Sequence, residues 1–191
     1  MKEMRNLTHK LFLVAALMLF AMPMAAMAQE STQIFGGYSY LRGDDDDGGV
    51  DLHGWNVSVN QNFKKWIGLK ADFSGHYGEV SVISTVNKSD LNAYLFLIGP
   101  QFNLGKYERI RPYAHVLFGA MRTNLTTFTT AGRASLRDSA FAMAVGGGLD
   151  VKVTDVIAVR LFQADYVLTR FDDDTQNNLR VSTGLVINIK N

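Results

Sequence analysis

The stretch Trp66–Gly78, "WIGLKADFSGHYG", decides how the rest of the chain is read. Ile67, Leu69, Ala71, Phe73, Gly75 and Tyr77 occupy its odd positions. Gly68, Lys70, Asp72, Ser74, His76 and Gly78 occupy its even ones. Successive side chains leave a strand on opposite faces, so a sustained period of two predicts one long strand. One face is apolar; the other is charged and lined by small residues. In water the apolar face would fill a core. In a bilayer it would meet lipid, and the polar face would line an interior.

The N-terminus supplies the compartment. Lys2, Arg5 and Lys10 precede the apolar run "LFLVAALMLFAMPMAAM", and Ala26-Met27-Ala28 has the small-x-small pattern of a cleavage site. Residues 1–28 read as a cleaved signal peptide and 29–191 as a single exported domain, with the first mature residue at Gln29. The run is too short and too abruptly ended for a spanning helix. The 191 residues contain no cysteine, which excludes a disulfide scaffold. The net charge of the whole chain is +1. The leader holds three cations and one anion, so the mature chain is slightly acidic and no nucleic acid is implied. The exported domain has no apolar stretch long enough for a transmembrane helix. If it crosses a membrane it must do so as a closed barrel.

Eight alternating runs follow, at residues 33–41, 52–63, 66–78, 91–103, 111–122, 139–153, 156–170 and 178–190. At roughly ten to fifteen residues they suit tilted spanning strands, which need about nine to eleven, better than the five or six usual in globular domains. The connections alternate long and short, the rhythm of a membrane barrel with long external loops and short periplasmic turns. The long ones carry Asp44, Asp45, Asp46, Asp47, Asp172, Asp173 and Asp174, and residues 123–137 read as a long loop. The short ones carry Lys64, Lys65, Lys106, Arg109 and Lys152.

The last run indicates which face is inside. Leu179, Val181, Thr183, Leu185, Ile187 and Ile189 share one face. Asn178, Arg180, Ser182, Gly184, Asn188 and Lys190 share the other, with Val186 the exception. The polar faces are dominated by Gly, Ala, Ser and Asn, which suits the narrow interior of an eight-stranded barrel. Lys70, Asp72, His115, Arg160, Asp165 and Arg180 are the expected interior polar cluster, and these charges must pair, since an unpaired buried charge is costly. The seventh run breaks parity between Arg160 and Gln163, which predicts a bulge and leaves open which of the two points inward. Trp55, Phe63, Trp66, Tyr77, Tyr94, Phe102, Tyr113, Phe141 and Tyr166 are expected on the outer face as interfacial girdles. The competing reading is a soluble lipocalin-like barrel with an aromatic-lined pocket.

The segments "GGYSYLR", "LHGWNVSVNQNFKKWIGLKADFSGHYG", "RPYAHVLFGA", "FAMAVGGGLDVKV", "QADYVLTRF" and "NNLRVSTGLVI" together resemble the outer-membrane β-barrel domain family of small OmpA/OmpX-like, porin-like proteins, over nearly all of residues 33–189. The resemblance implies an all-β fold, an eight-stranded antiparallel up-and-down transmembrane barrel in the bacterial outer membrane. It also implies insertion by the outer-membrane assembly machinery and contact with outer-membrane lipid and lipopolysaccharide. No OmpA-type peptidoglycan-binding domain is expected. The chain departs from the family at its end, Ile189-Lys190-Asn191, where such barrels usually carry an aromatic insertion signal.

The search for chemistry yields no catalytic, cofactor or metal site. Asp72, Ser74 and His76 share one face and have the residue types of a hydrolytic triad. Residues two apart on a strand are about 6.6 Å apart, so the serine separates its would-be partners. His53 is outward-facing, but its expected neighbours Tyr38, Tyr40, Gly75 and Tyr77 include no serine or carboxylate, which counts against a lipid-modifying barrel enzyme. "DDDDGGVD" lacks the EF-hand pattern and reads as a solvated acidic loop, with weak divalent-cation binding the lesser alternative. Gly146–Gly148 lie within a strand and form no phosphate loop. The expected role is structural or surface-interactive: membrane integrity, loop-mediated contact, at most narrow permeation.

Overall fold

Each alternating run forms one antiparallel strand. The computed structural model describes residues 31–43, 49–81, 88–105, 109–129, 132–171 and 174–189. The strands are β1 (Ser31–Gly43), β2 (Val50–Lys64), β3 (Ile67–Ser81), β4 (Lys88–Asn103), β5 (Ile110–Thr129), β6 (Gly132–Lys152), β7 (Ile157–Phe171) and β8 (Asp174–Ile189). Each pairs with its neighbours in sequence, and β8 returns to β1 in a register running from Thr32 opposite Ile189 to Gly43 opposite Asn178. Closure leaves no sheet edge along the paired wall, as a strand-built structure in lipid requires.

Parity decides the two faces. In β3, Lys70, Asp72, Ser74 and His76 are buried, whereas Leu69 and Tyr77 on the alternate positions are exposed. In β8, Arg180, Ser182 and Asn188 are buried while Leu179, Leu185 and Ile187 are exposed. Val186 points inward and packs with Phe35 and Ala158. An apolar belt of this extent would be an aggregation surface in water; a bilayer covers it. The lipocalin-like alternative, with the apolar face inward, is thereby overturned.

Rings mark both ends of the belt. Trp66 stacks with Phe102 at 6.5 Å beside the short turns, and Tyr77 meets Tyr94 edge-on at 6.0 Å beside the long connections. Trp55 lies over Gly75, where an added Cβ would stand 3.1 Å from its ring. Tyr113 corrects the expected girdle. It has the same parity as His115, is 4 % exposed and faces the interior.

The bulge in β7 falls where parity breaks. The register shifts between Arg160 and Gln163, and both intervening residues, Leu161 and Phe162, face outward. This returns Gln163 and Asp165 to the interior beside Arg160.

One expected loop is instead a hairpin. Residues 123–129 and 132–138 continue β5 and β6, pairing Thr123 with Asp138 through to Thr129 with Gly132. The small residues there suggest a loop, but β-branched threonines favour extended backbone and Leu125 opposite Leu136 supplies a cross-strand apolar pair. Residues 1–30, and with them the leader, lie outside the described residues, as do Asp44, Asp45, Asp46, Asp47, Asp172 and Asp173. Asp174, expected in the long connection, instead opens β8 opposite Phe171, because the β7–β8 ladder continues to the last residue before the turn.

Candidate functional site

The interior is the surface on which the described residues of this chain concentrate charge. It is built in three tiers from the short-turn end upward. The lowest is a set of amides. Asn60 Nδ2 donates to Gln33 Oε1 at 3.2 Å and to Asn62 Oδ1 at 3.0 Å, and Asn103 Nδ2 donates to Asn62 Oδ1 at 2.9 Å. Gln33 and Arg111 both donate to Asn188 Oδ1. The cavity left at this end is about 40 Å³, room for roughly one water.

The middle tier is ionic. Arg180 is fully buried. Its Nη1 donates to Asp72 Oδ1 and its Nη2 to Asp165 Oδ2, both at 2.7 Å. The same Nη1 reaches Ser74 Oγ at 3.0 Å. His115 Nε2 lies 2.8 Å from Asp165 Oδ1. Arg160 forks onto Asp150, Nε to Oδ1 at 2.8 Å and Nη2 to Oδ2 at 3.1 Å, and lies over the rings of Phe35 and Tyr113. Lys70 Nζ stands 3.6 Å from Asp72 Oδ2. Gln163 joins the groups: its Oε1 accepts from Lys70, Tyr113 and Arg160, and its Nε2 donates to Asp165 Oδ2 at 2.8 Å. Lys70, Arg160 and Arg180 face Asp72, Asp150 and Asp165, so with a neutral imidazole at His115 the tier is electrically balanced. Balance and near-complete hydrogen bonding make such burial tolerable.

The wall makes room for this tier. Gly146 lies in register with both His115 and Asp165. A Cβ there would stand 2.3 Å from Asp165 Oδ1, so only glycine lets the His115–Asp165 contact form.

All six residues of the expected interior cluster, Lys70, Asp72, His115, Arg160, Asp165 and Arg180, are brought together here. Three of their partners escape the sequence reading. Asp150 shares the inward face of β6 with small residues that draw no attention. The parity break makes Gln163 and Arg160 look like alternatives, whereas both face inward. Tyr113 reads as a girdle residue by its type. Parity counted back from His115 and on from Gly148 identifies Tyr113 and Asp150.

Above the charges the inward face turns apolar. Leu41, Leu52, Leu95, Leu97, Leu117 and Met121 form a buried cluster with Ala93, Ala142, Ala144 and Val167. The signal lies in β4, where "LNAYLFLI" is apolar on both parities, the pattern of a strand buried on two faces.

Asp72, Ser74 and His76 make no triad. Asp72 and Ser74 bind Arg180, while His76 Nε2 contacts Ser39 Oγ at 2.9 Å, and Ser39 contacts Ser182. On the outer face Tyr38 Oη lies 2.5 Å from His53 Nδ1, and Tyr40 donates to Asp51 Oδ1 at 2.5 Å. A carboxylate therefore does stand on the face of His53, contrary to expectation, but its described hydrogen bond goes to a tyrosine.

The model of the outer membrane protein beta-barrel domain matches residues 12–186 of this chain. No curated protein matches it. Among solved structures, Ail, the attachment invasion locus protein of Yersinia pestis, is similar with a TM-score of 0.63 at 19% identity, over 83% of this chain and 99% of Ail. Neisserial surface protein A is similar with a TM-score of 0.56 at 9% identity, over 84% of this chain and 97% of that protein. The outer membrane protein OprG from Pseudomonas aeruginosa gives 0.54 at 11% identity, over 86% and 98%. At these identities the likeness establishes the fold.

Proposed function

This chain belongs to the outer membrane protein β-barrel domain family and resides in the bacterial outer membrane, and from that premise we propose that its role is structural and surface-interactive, not that of an open pore. The observation that carries this reading is the balanced plug of Lys70, Asp72, Asp150, Arg160, Asp165 and Arg180 across the lumen. Eight strands enclose a space only wide enough for side chains, and here ion pairs occupy it. A hydrated solute would have to separate several buried pairs at once, each costly to break. The wall holds lipid; the connections at the long-loop end, with their acidic Asp44–Asp47, Asp172 and Asp173, offer the surface for contact. The leader directs export and leaves at Gln29, and the assembly machinery inserts the barrel.

Two measurements test this. In planar bilayers the purified barrel should show no steady conductance, and liposomes carrying it should not swell in small sugars. A strain lacking the chain should become more sensitive to detergents and bulky antibiotics. Steady single-channel currents from the unaltered barrel would overturn the reading.

A further inference from the structure

The ionic plug is electrically balanced; the mouth beneath it, at the short-turn end, is not. The cavity of about 40 Å³ there is lined by three cations: Arg111 on β5, Lys64 at the end of β2 and Lys65 in the turn that follows. None of them has an ion pair among the described residues. Arg111 faces inward, since its Nη1 donates to the buried Asn188 Oδ1 at 3.0 Å. The one carboxylate on the lining, Asp150, stands opposite Arg111 in register, but Arg160 already occupies both of its oxygens. Unpaired positive charge in a recess with low-dielectric walls draws anions.

A second group says what else the anion must carry. Gln101 lines the same cavity and is 1% exposed. Its Nε2 donates to Asn103 Oδ1 at 3.4 Å, and its Oε1 has no hydrogen-bond partner among the described residues. A buried acceptor left without a donor is costly. A water would serve Gln101 and leave the cations unpaired. A bare anion would serve the cations and leave Gln101 unpaired. An anionic oxygen beside an N–H serves both, and a peptide C-terminus carries that pair: its α-carboxylate and the amide of its last residue. The small volume admits only the tip of a ligand, so the last side chain must be small. The plug closes the recess above, so the peptide enters by its end.

We propose that the short-turn mouth is a binding site for the C-terminus of a periplasmic peptide that ends in a small residue. The carboxylate meets Arg111, with Lys64 and Lys65 around it, and the last N–H donates to Gln101 Oε1. The inference goes beyond the structural role proposed above and relies on it only for which end faces the periplasm. A conducting barrel would refute that role without bearing on whether the mouth binds, so the two fail separately.

The experiment is 1H–15N NMR of the full-length protein in phosphatidylcholine nanodiscs. It reads the side-chain amides of Gln101, in the mouth, and of Gln176, near the long-loop end of β8, assigned by Gln101→Leu and Gln176→Leu. N-acetyl-alanyl-alanine is the probe; its C-terminal amide, acetate and inorganic phosphate are the comparators. The free-acid dipeptide should shift the Gln101 amide saturably and leave Gln176 in place, and its C-terminal amide should shift neither. Acetate, which lacks the N–H, should bind about two- to ten-fold more weakly, the worth of one hydrogen bond. Arg111→Gln should weaken the dipeptide about ten-fold or more, as loss of a charge-assisted bond does. Lys65→Gln, at the exposed turn, should weaken it about two- to five-fold, and it keeps the test decisive should heat-dependent gel migration show Arg111→Gln unfolded. A Gln101 amide that stays put would overturn the proposal, the mouth then holding only water. Equal shifts from the acid and its amide would overturn it too, as would phosphate or acetate binding as tightly as the dipeptide, or unchanged binding in the folded Arg111 or Lys65 variant.

Discussion

Arg180 on β8 binds Asp72 on β3 at 2.7 Å although β1 and β2 stand between them in the wall. The same guanidinium holds Asp165 on β7. One side chain thus ties three strands across the lumen, and its link to β3 joins strands that never pair. The hydrogen-bonded wall holds neighbours together; the plug holds opposite sides together. Its removal should therefore reveal how much of the barrel's stability lies inside.

Arg180→Met leaves Asp72 and Asp165 without their shared guanidinium. Breaking one buried pair from one side typically costs about 3–5 kcal/mol, and this change should fall at the upper end. Lys70→Met, which removes a longer contact, should cost less. Urea unfolding of the barrel in lipid, followed on gels by heat-dependent migration, measures both.

The Arg160–Asp150 pair is more self-contained. Arg160→Met alone should destabilise by about 3 kcal/mol or more, because it strands a buried carboxylate. Combining it with Asp150→Leu should recover most of that loss, since replacing both partners by apolar groups is often neutral. The same unfolding assay decides; a double variant as weak as the single one would show that the contacts of Arg160 with Gln163, Phe35 and Tyr113 matter more than its charge.

Gly146→Ala should destabilise by about 1–3 kcal/mol, the usual cost of overpacking. Its methyl would clash with the Ala164 carbonyl oxygen and with Asp165 Oδ1, both 2.3 Å away. Gly36→Ala is the control. Nothing lies within 4 Å of an added Cβ there, and its effect should stay within about 0.5 kcal/mol.

The outer face should show the depth dependence of a bilayer. Ile98, paired with Ala71 and Phe118 between the two girdles, stands near mid-membrane. Ile98→Arg should cost about 2–4 kcal/mol in lipid. Leu104→Arg, beyond the end of β4 at the short-turn side, should cost about 1 kcal/mol or less. Equal costs at both positions would contradict lipid contact at Ile98.

The leader yields a simpler test. Protein harvested from outer membranes should begin at Gln29 when its N-terminus is sequenced. Retention of residues 1–28 would mean that the apolar run stays as an anchor.

Much of this architecture is legible in one dimension. A period of two assigns each residue to a face without knowledge of its neighbours, because side-chain alternation is local backbone geometry. That is why Lys70, Asp72 and Arg180 can be placed inside and Leu179, Leu185 and Ile187 outside. The break at Arg160–Gln163 can be read as a bulge for the same reason, since a lost beat in a period of two needs an extra residue. The hairpin at 123–138 is less legible, because its threonine signal is diluted by glycine, alanine and serine. Tyr113 is misread when residue type outweighs parity.

What parity cannot supply is the partner across the lumen. Arg180 and Asp72 lie 108 residues apart, and nothing local links them. Their meeting is set by closure: the number of strands, and the register at which β8 returns to β1, fix which inward positions share a level. The same closure stacks amides, ion pairs and leucines into successive tiers. The sequence alone determined most of the strands and their faces, because those follow from local alternation of the backbone. The plug and the leucine tier above it were decided by tertiary structure, because only a closed barrel brings side chains from distant strands to one height.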